Sequence, residues 1–396
     1  MPTYQAPGVY IEEIPSAPVI LPVGTSTAAF IGTAPKADAF PSTARAVNSW
    51  TQFVRDYLPE KDAASTPLSH AVYGFFLNGG SRCYVVNIPA GKPIAGTGRE
   101  RGALQLLETV EAEIVSAPGM TDAVTYDALL THCENMKDRV AILDADPAAV
   151  DNIDSLKTIG RAKPADGGDK KPAALRPRAS TYGTVYFPQI LARDPLSSDP
   201  KLVPVFPSGH MAGIWARSDA ARGVHKAPAN EVVRGAIDLT YSLTPAEQGG
   251  LNDSGVNCLR FFEREGLRVW GARTLAEPGS EFRYLNVRRL FNFIEQSIAQ
   301  STKWVVFEDN AIPLWRNLTR DVTAFLINVW RDNALVGATP QQAFFVACNA
   351  MTNPPESVDL GQVIVLIGLA PVKPAEFVVF RLSQKLGNVP EIQAVG

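Results

Sequence analysis

Charge is scarce in this sequence. Only 19% of its 396 residues are Asp, Glu, Lys or Arg, and 37 basic residues face 40 acidic ones for a formal net charge of −3. A protein that neutralises phosphates needs a basic excess, so nucleic acid is excluded as the main partner. Cysteine is scarce too. Cys83, Cys133, Cys258 and Cys348 lie far apart, without C-x-x-C or metal-ligand spacing. Each reads as a small buried apolar side chain in a reducing compartment. No apolar run reaches the ~18 residues of a membrane span, so no membrane insertion is expected. The opening residues 1–8 have neither a charged n-region nor an apolar h-region, so the product is expected in a cytoplasm unless lysis or a dedicated device releases it.

Catalytic signatures are missing as well. Gly91-Lys92 and Gly96-Thr-Gly98 lack phosphate-loop spacing, and neither G-x-S-x-G nor H-E-x-x-H occurs. Asp144, His70 and Ser208 can be arranged on paper as a triad, but nothing in their spacing selects them. Asp144 and Asp146 read as caps at a strand end, and His210 and His225 as ordinary hydrogen-bonded histidines. No cofactor, metal or catalytic set is expected, and the chain is read as a non-enzyme.

What is abundant is punctuation: 30 Gly and 31 Pro in a chain that is 46% hydrophobic. Such a chain folds, with many loops and two or three domains. Its organising stretch is 255–275. Two β-prone runs, Val256 to Phe262 and Leu267 to Thr274, flank Glu263-Arg264-Glu265-Gly266, which predicts a hairpin turning at Gly266. Trp270 beside Gly271 suggests close approach of another backbone or a bulky group.

Upstream, 27–32 and 82–88 read as buried strands, separated by helices at 50–57 and at 66–77, where Pro67 takes the first helical position. Strand, helix, strand implies a right-handed crossover and a partly parallel sheet. A short element at 103–115, a helix at 125–137 and a strand at 139–147 follow. The polar stretch 161–181 reads as a mobile surface loop. Strands are predicted at 184–188, 201–206, 303–307, 362–368 and 376–382, and a helix at 208–219. In helix 284–302, Val287, Leu290, Phe291, Ile294 and Ile298 form the apolar stripe, with Arg288, Arg289, Asn292 and Glu295 outside it. Helix 313–333 sets Arg316, Arg320 and Arg331 on its polar face.

The two ends stand apart. Val9, Tyr10, Ile11, Glu12, Glu13 and Ile14 read as a strand hemmed in by prolines, with no sequence neighbour to pair with. It is either an edge strand of its own subunit or one donated to another chain. Residues 383–396 likewise look like a tail or a second arm.

Several colinear segments resemble the contractile tail sheath proteins of phages and phage-tail-like particles. They are 7–13, 25–32, 203–219, 223–230, Gly255-Val-Asn257, Trp270-Gly-Ala-Arg-Thr274, 286–291, Trp304-Val-Val-Phe-Glu-Asp-Asn310, 337–346 and 370–378, with a weaker match over 90–200. The resemblance implies an α/β fold whose mixed-sheet core is built from N- and C-terminal segments, with an outward-facing middle domain inserted and extended arms at both ends. On this sequence the arm falls at 1–24, the core at 25–90 and 200–374, the outer domain at 91–199, and the C-terminal strand and arm at 375–396.

It also implies a function. Sheath subunits polymerise as six-start helices or stacked six-membered rings around a rigid inner tube, then contract to drive the tube through a target envelope. Implied partners are further copies of the chain, the tube protein, and baseplate and terminal cap proteins. The implied place is a bacterial cytoplasm during assembly, then a tail or injection particle. Val9 to Ile14, with Phe377, Val378, Val379, Phe380 and Leu382, would be strands exchanged between subunits, and Arg316, Arg320 and Arg331 a weak contact with the tube. Moderate length leans towards a phage-tail-like injection particle. The competing expectation is a monomeric hydrolase-like or ligand-binding α/β domain.

Overall fold

The computed structural model describes residues 19–60, 64–89, 92, 94–96, 101–159 and 175–377. Its strands are β1 (Ala28–Gly32), β2 (Ala44–Val47), β3 (Cys83–Asn87), β4 (Ile114–Ser116), β5 (Val140–Asp144), β6 (Gly183–Phe187), β7 (Ile190–Arg193), β8 (Leu202–Val205), β9 (Ala236–Leu239), β10 (Val256–Phe262), β11 (Gly266–Trp270), β12 (Phe344–Ala347) and β13 (Leu366–Leu369). The helices are α1 (Trp50–Tyr57), α2 (Pro67–Asn78), α3 (Ala103–Leu107), α4 (Ala123–Met136), α5 (Ser208–Arg222), α6 (Pro245–Asp253), α7 (Leu285–Ser301), α8 (Ile312–Arg331), α9 (Pro340–Ala343) and α10 (Pro355–Asp359).

Eight strands form one sheet in the order β11-β10-β6-β5-β4-β1-β3-β2. The six inner strands run parallel, and β2 and β11 close the two sides antiparallel. Alternation decides what lies on each face. Phe30 of β1 and Ile142 of β5 join one core with Phe53, Leu68, Phe75, Ile214 and Trp215 of α1, α2 and α5. Their neighbours Ile31 and Leu143 point the other way, into a core with Leu104, Leu107, Leu129, Leu130 and Leu251 of α3, α4 and α6. Strands covered on both faces read as continuous apolar runs, as 28–32 and 140–143 do. All four cysteines are buried free thiols.

Capping fixes α2 in the way the sequence predicts. The Ser69 N–H donates to Thr66 Oγ1 at 3.2 Å, the Thr66 N–H donates to Ser69 Oγ at 2.8 Å, and Gly79 ends the helix at φ 115°. Helix α5 lies unusually close against α2. A Cβ on Gly209 would sit 2.2 Å from the Ala71 carbonyl oxygen, and one on Gly213 would sit 2.4 Å from that of Phe75. The hairpin also forms as predicted, with Phe262 opposite Gly266, whose φ is 75°.

Other expectations change. Strands β4, β5 and β6, from the stretch read as an inserted outer domain, occupy the middle of the sheet. Residues 277–377 add no strand to it. They build α7, α8 and the two-stranded β12–β13 sheet around separate apolar clusters. The strand expected at 303–307 is a 3-10 helix, Lys303–Val305, because Trp304 and Val305 turn into the cluster under α8. Of 362–368, only the end from Leu366 pairs. Most of the polar stretch 161–181 lies outside the described residues, but its end is built in. Arg176 is buried and donates to the Ser254 carbonyl at 2.6 Å, and Arg178 pairs with Glu134 at 2.8 Å.

Candidate assembly surfaces and the network behind them

Helix α7 carries more polar burial than its sequence stripe suggests. Arg288, Arg289 and Asn292, expected outside the apolar stripe, are all buried. Each has a partner that makes this tolerable. Arg289 donates to Asp219 of α5 and to the Thr25 carbonyl, both at 2.9 Å, and its guanidinium lies 4.7 Å from the Trp215 ring centroid. Arg288 donates to Asn292 at 2.8 Å and sits over Phe282 and Tyr182.

The first and last described stretches of the chain are tied to this frame. In the described part of the N-terminal stretch, Ile20 is buried, and the N–H groups of Leu21 and Val23 donate to Ser301 Oγ and Ser297 Oγ at 3.0 and 3.1 Å. At the other end Asn286 donates to the Val372 carbonyl at 3.1 Å. Arg273 Nε donates to Glu376 at 3.0 Å, and a second guanidinium nitrogen meets the other carboxylate oxygen, making a bidentate pair. Arg273 is itself held by Asn257. The Asn257 side chain accepts from the Arg273 N–H at 2.7 Å and donates to the Arg273 carbonyl at 2.8 Å. A Cβ on Gly271 would lie 2.8 Å from Asn257 Oδ1, which is the close approach the Trp-Gly pair implied. Trp270 packs on Phe262, with ring centroids 4.6 Å apart.

The edge beside that hairpin is closed. Asn230 donates to the Val269 carbonyl at 2.8 Å, and Val269 and Val233 add bonds of 3.0 Å, so 230–233 covers β11. The small sheet offers edges: among the described residues, strands β12 and β13 pair only with each other. Phe345 and Leu366 project exposed from it. Phe377 is exposed, whereas Val9 to Ile14 and Val378, Val379, Phe380 and Leu382 lie outside the described residues.

Arg316, Arg320 and Arg331 are all exposed on α8. At ~100° per residue they fall within about 60° of one another, on a single stripe. Arg320 also pairs with Asp321 at 2.8 Å. Phe307, before this helix, is fully exposed at φ 74°. The sequence carried no sign of that conformation.

The paper triad comes apart. Ser208 donates through its N–H and its hydroxyl, each at 2.8 Å, to Asp144, which caps α5 from the end of β5, and Gly119 N–H adds a third bond at 3.2 Å. His70 faces Asp194 instead, at 3.5 Å. Burial pushes the Asp144 carboxyl up to about 6, against its three donors. His210, read as hydrogen-bonded, has no partner for Nδ1 among the described residues; this nitrogen abuts Gly74, and burial pushes the His210 pKa down to about 3. Asp146 caps the 3-10 helix Pro147–Val150. Among the described residues no three His, Cys, Asp or Glu side chains group to hold a metal, and no helix is long and apolar enough to cross a membrane.

Fold and surfaces together describe an α/β chain whose stretches 21–25 and 372–376 are held around one helix, with a small two-stranded sheet beside it. Residues 95–275 match the family described as phage tail sheath protein central domain, and 277–385 match the phage tail sheath C-terminal domain. The chain belongs to the contractile tail sheath protein family. The tail sheath protein of Vibrio phage KVP40 is 26% identical over 174 residues, which cover 43% of this chain but only 25% of that protein. Whole-chain likeness is found among solved structures. The sheath complex of an extracellular contractile injection system in its contracted state (PVC) is 28% identical, with a TM-score of 0.75, covering 97% of this chain and 99% of that one. The contracted helical sheath of the anti-feeding prophage is 26% identical, with a TM-score of 0.75, covering 97% and 100%.

Proposed function

We propose that this chain is the subunit of a contractile sheath, made in a bacterial cytoplasm, that polymerises around an inner tube and shortens to drive the tube through an envelope. The observation that carries this reading is the likeness over 97% of the chain to sheaths captured contracted. That one of them belongs to an extracellular contractile injection system favours such a particle over a phage tail. Contraction is then a rearrangement between two packings of one subunit, and the energy is stored in the interfaces. The edges of β12 and β13 suit strand addition from neighbouring copies, with each backbone hydrogen bond worth about 0.5–1.5 kcal/mol net and many bonds acting together in the lattice. Arg316, Arg320 and Arg331 would meet the tube, and baseplate and cap proteins would meet the ends of the polymer. Val9 to Ile14 and Phe377 to Leu382 would supply the exchanged strands.

The competing reading, a monomeric hydrolase-like or ligand-binding domain, lost its one candidate constellation when Ser208 turned out to serve as a helix cap partner of Asp144. Negative-stain microscopy of the purified chain separates the two. Tubes or rings are expected, and a monodisperse globular species at high concentration would overturn the sheath reading. Removal of residues 1–14 should leave a folded chain that forms no long polymer.

A further inference from the structure

The first and last described stretches of the chain, 21–25 and 372–376, are held near opposite ends of one helix. Near the start of α7, Asn286 holds the Val372 carbonyl, and Tyr284, the residue before the helix, bridges to Arg273, which grips Glu376. Near its end, Ser297 and Ser301 hold the N–H groups of Val23 and Leu21. The spacing fits for a physical reason. Two residues of extended chain advance about 6.6 Å and four residues of helix about 6.0 Å, so hydroxyls at i and i+4 meet alternate N–H groups of a strand running past them. Arg289, between the two anchors, fixes the Thr25 carbonyl and locks the helix to α5 through Asp219.

We propose that α7 is a strut that sets the separation and direction of both arms, with Arg273–Glu376 and Ser297/Ser301 as its two anchors. This rests on the sheath reading above. From Asn286 to Ser301 the helix holds its anchors roughly 22 Å apart. Arms that swing between two lattices must pivot from fixed points, or register is lost from one copy to the next. The Arg273 anchor depends on shape as well as charge: Asn257 fixes its backbone, its guanidinium also donates to the Asn252 carbonyl at 2.8 Å, and a lysine at this position keeps the charge but cannot make both bonds to Glu376. Arg273 and Glu376 therefore act as positioning residues for the exchanged C-terminal arm.

The test uses the full chain with Arg273→Lys, Glu376→Gln and the double substitution Ser297→Ala/Ser301→Ala. Polymerisation is followed by sedimentation and microscopy, fold by circular dichroism, and anchoring by amide exchange at 19–24 and 372–377. Each variant is expected to keep its fold, to exchange at least tenfold faster at its own anchor only, and to need at least tenfold more protein to polymerise. Folded variants that polymerise at the wild-type concentration into wild-type lengths would overturn the strut. Should Arg273→Lys fail to fold, the milder serine pair decides the matter by the same readouts. A wild-type chain that forms no polymer would instead overturn the sheath reading, while the exchange data would still report whether the anchors hold.

Discussion

Arg289 and Asp219 form a buried ion pair that joins α7 to α5, with Nη1 to Oδ1 at 2.9 Å and side chains only 4% and 5% exposed. It also gathers the N-terminal stretch, because Thr25 donates through Oγ1 to the same carboxylate at 2.7 Å. Three segments far apart in sequence thus converge on one carboxylate and one guanidinium. Removing one partner leaves the other charge buried and alone, which costs about 3–5 kcal/mol. Arg289→Ala should lower stability by that amount in urea unfolding, and Asp219→Asn by somewhat less, since the amide keeps one acceptor for Thr25.

The α2–α5 contact depends on absent side chains. At Gly209 and Gly213 an added methyl meets backbone oxygens at 2.2 and 2.4 Å, and neither atom can rotate away. Gly213→Ala should therefore force the helices apart and cost about 1–3 kcal/mol, as overpacking does. Gly249→Ala is the control: nothing lies within 4 Å of its Cβ position, and alanine is the better helix former. The first should lower the melting temperature and the second should leave it equal or higher.

The sequence made the local elements legible and left the long-range ones hidden. Strands 28–32 and 140–144, helix α2 with its cap and the hairpin at Gly266 all follow from short-range rules, and all are present. Periodicity misplaced Arg289 and Arg288 because Asp219 and the Tyr182 ring, which meet them, are remote in sequence, and Asn292 is buried with Arg288 one turn away. The run Trp304-Val-Val-Phe307 looked like a strand because β-propensity cannot tell an apolar 3-10 turn from an extended run. Arg273 and Glu376 each fell within a segment that carried the family resemblance. Only the fold shows that these two segments are bonded to each other.

Glu113 gives the fold a pH dependence. Burial pushes its carboxyl up to about 7 from an ordinary 4.5, although the Thr27 N–H donates to it at 2.8 Å and Arg289 pulls the other way. Between those values the folded chain holds a proton that the unfolded chain has released, so this group's contribution to stability falls as pH rises from 4.5 to 7. Glu113→Gln removes the titration and can still accept from Thr27. Its melting temperature should match wild type at pH 4 and exceed it at pH 8, by about 1–2 kcal/mol of stability once partial exposure is allowed for.

The arginine stripe of α8 can be tested apart from stability. Arg316 and Arg320 are exposed, and the neighbouring Asp321 offers Arg320 only a surface pair, worth about 0–1 kcal/mol. Reversing Arg320 to Glu places it beside Asp321, so a small loss, well under about 1 kcal/mol, is expected in the isolated chain. A weak polar contact with the tube would respond far more. One reversed charge per subunit, repeated along the polymer, turns many small attractions into repulsions, and the effect grows as ionic strength falls. Co-assembly with the tube protein should fall sharply at low salt and partly recover at high salt, while tube-free polymerisation stays unchanged. If tube-bound assembly at low salt equals wild type, the tube lies against another face of the subunit.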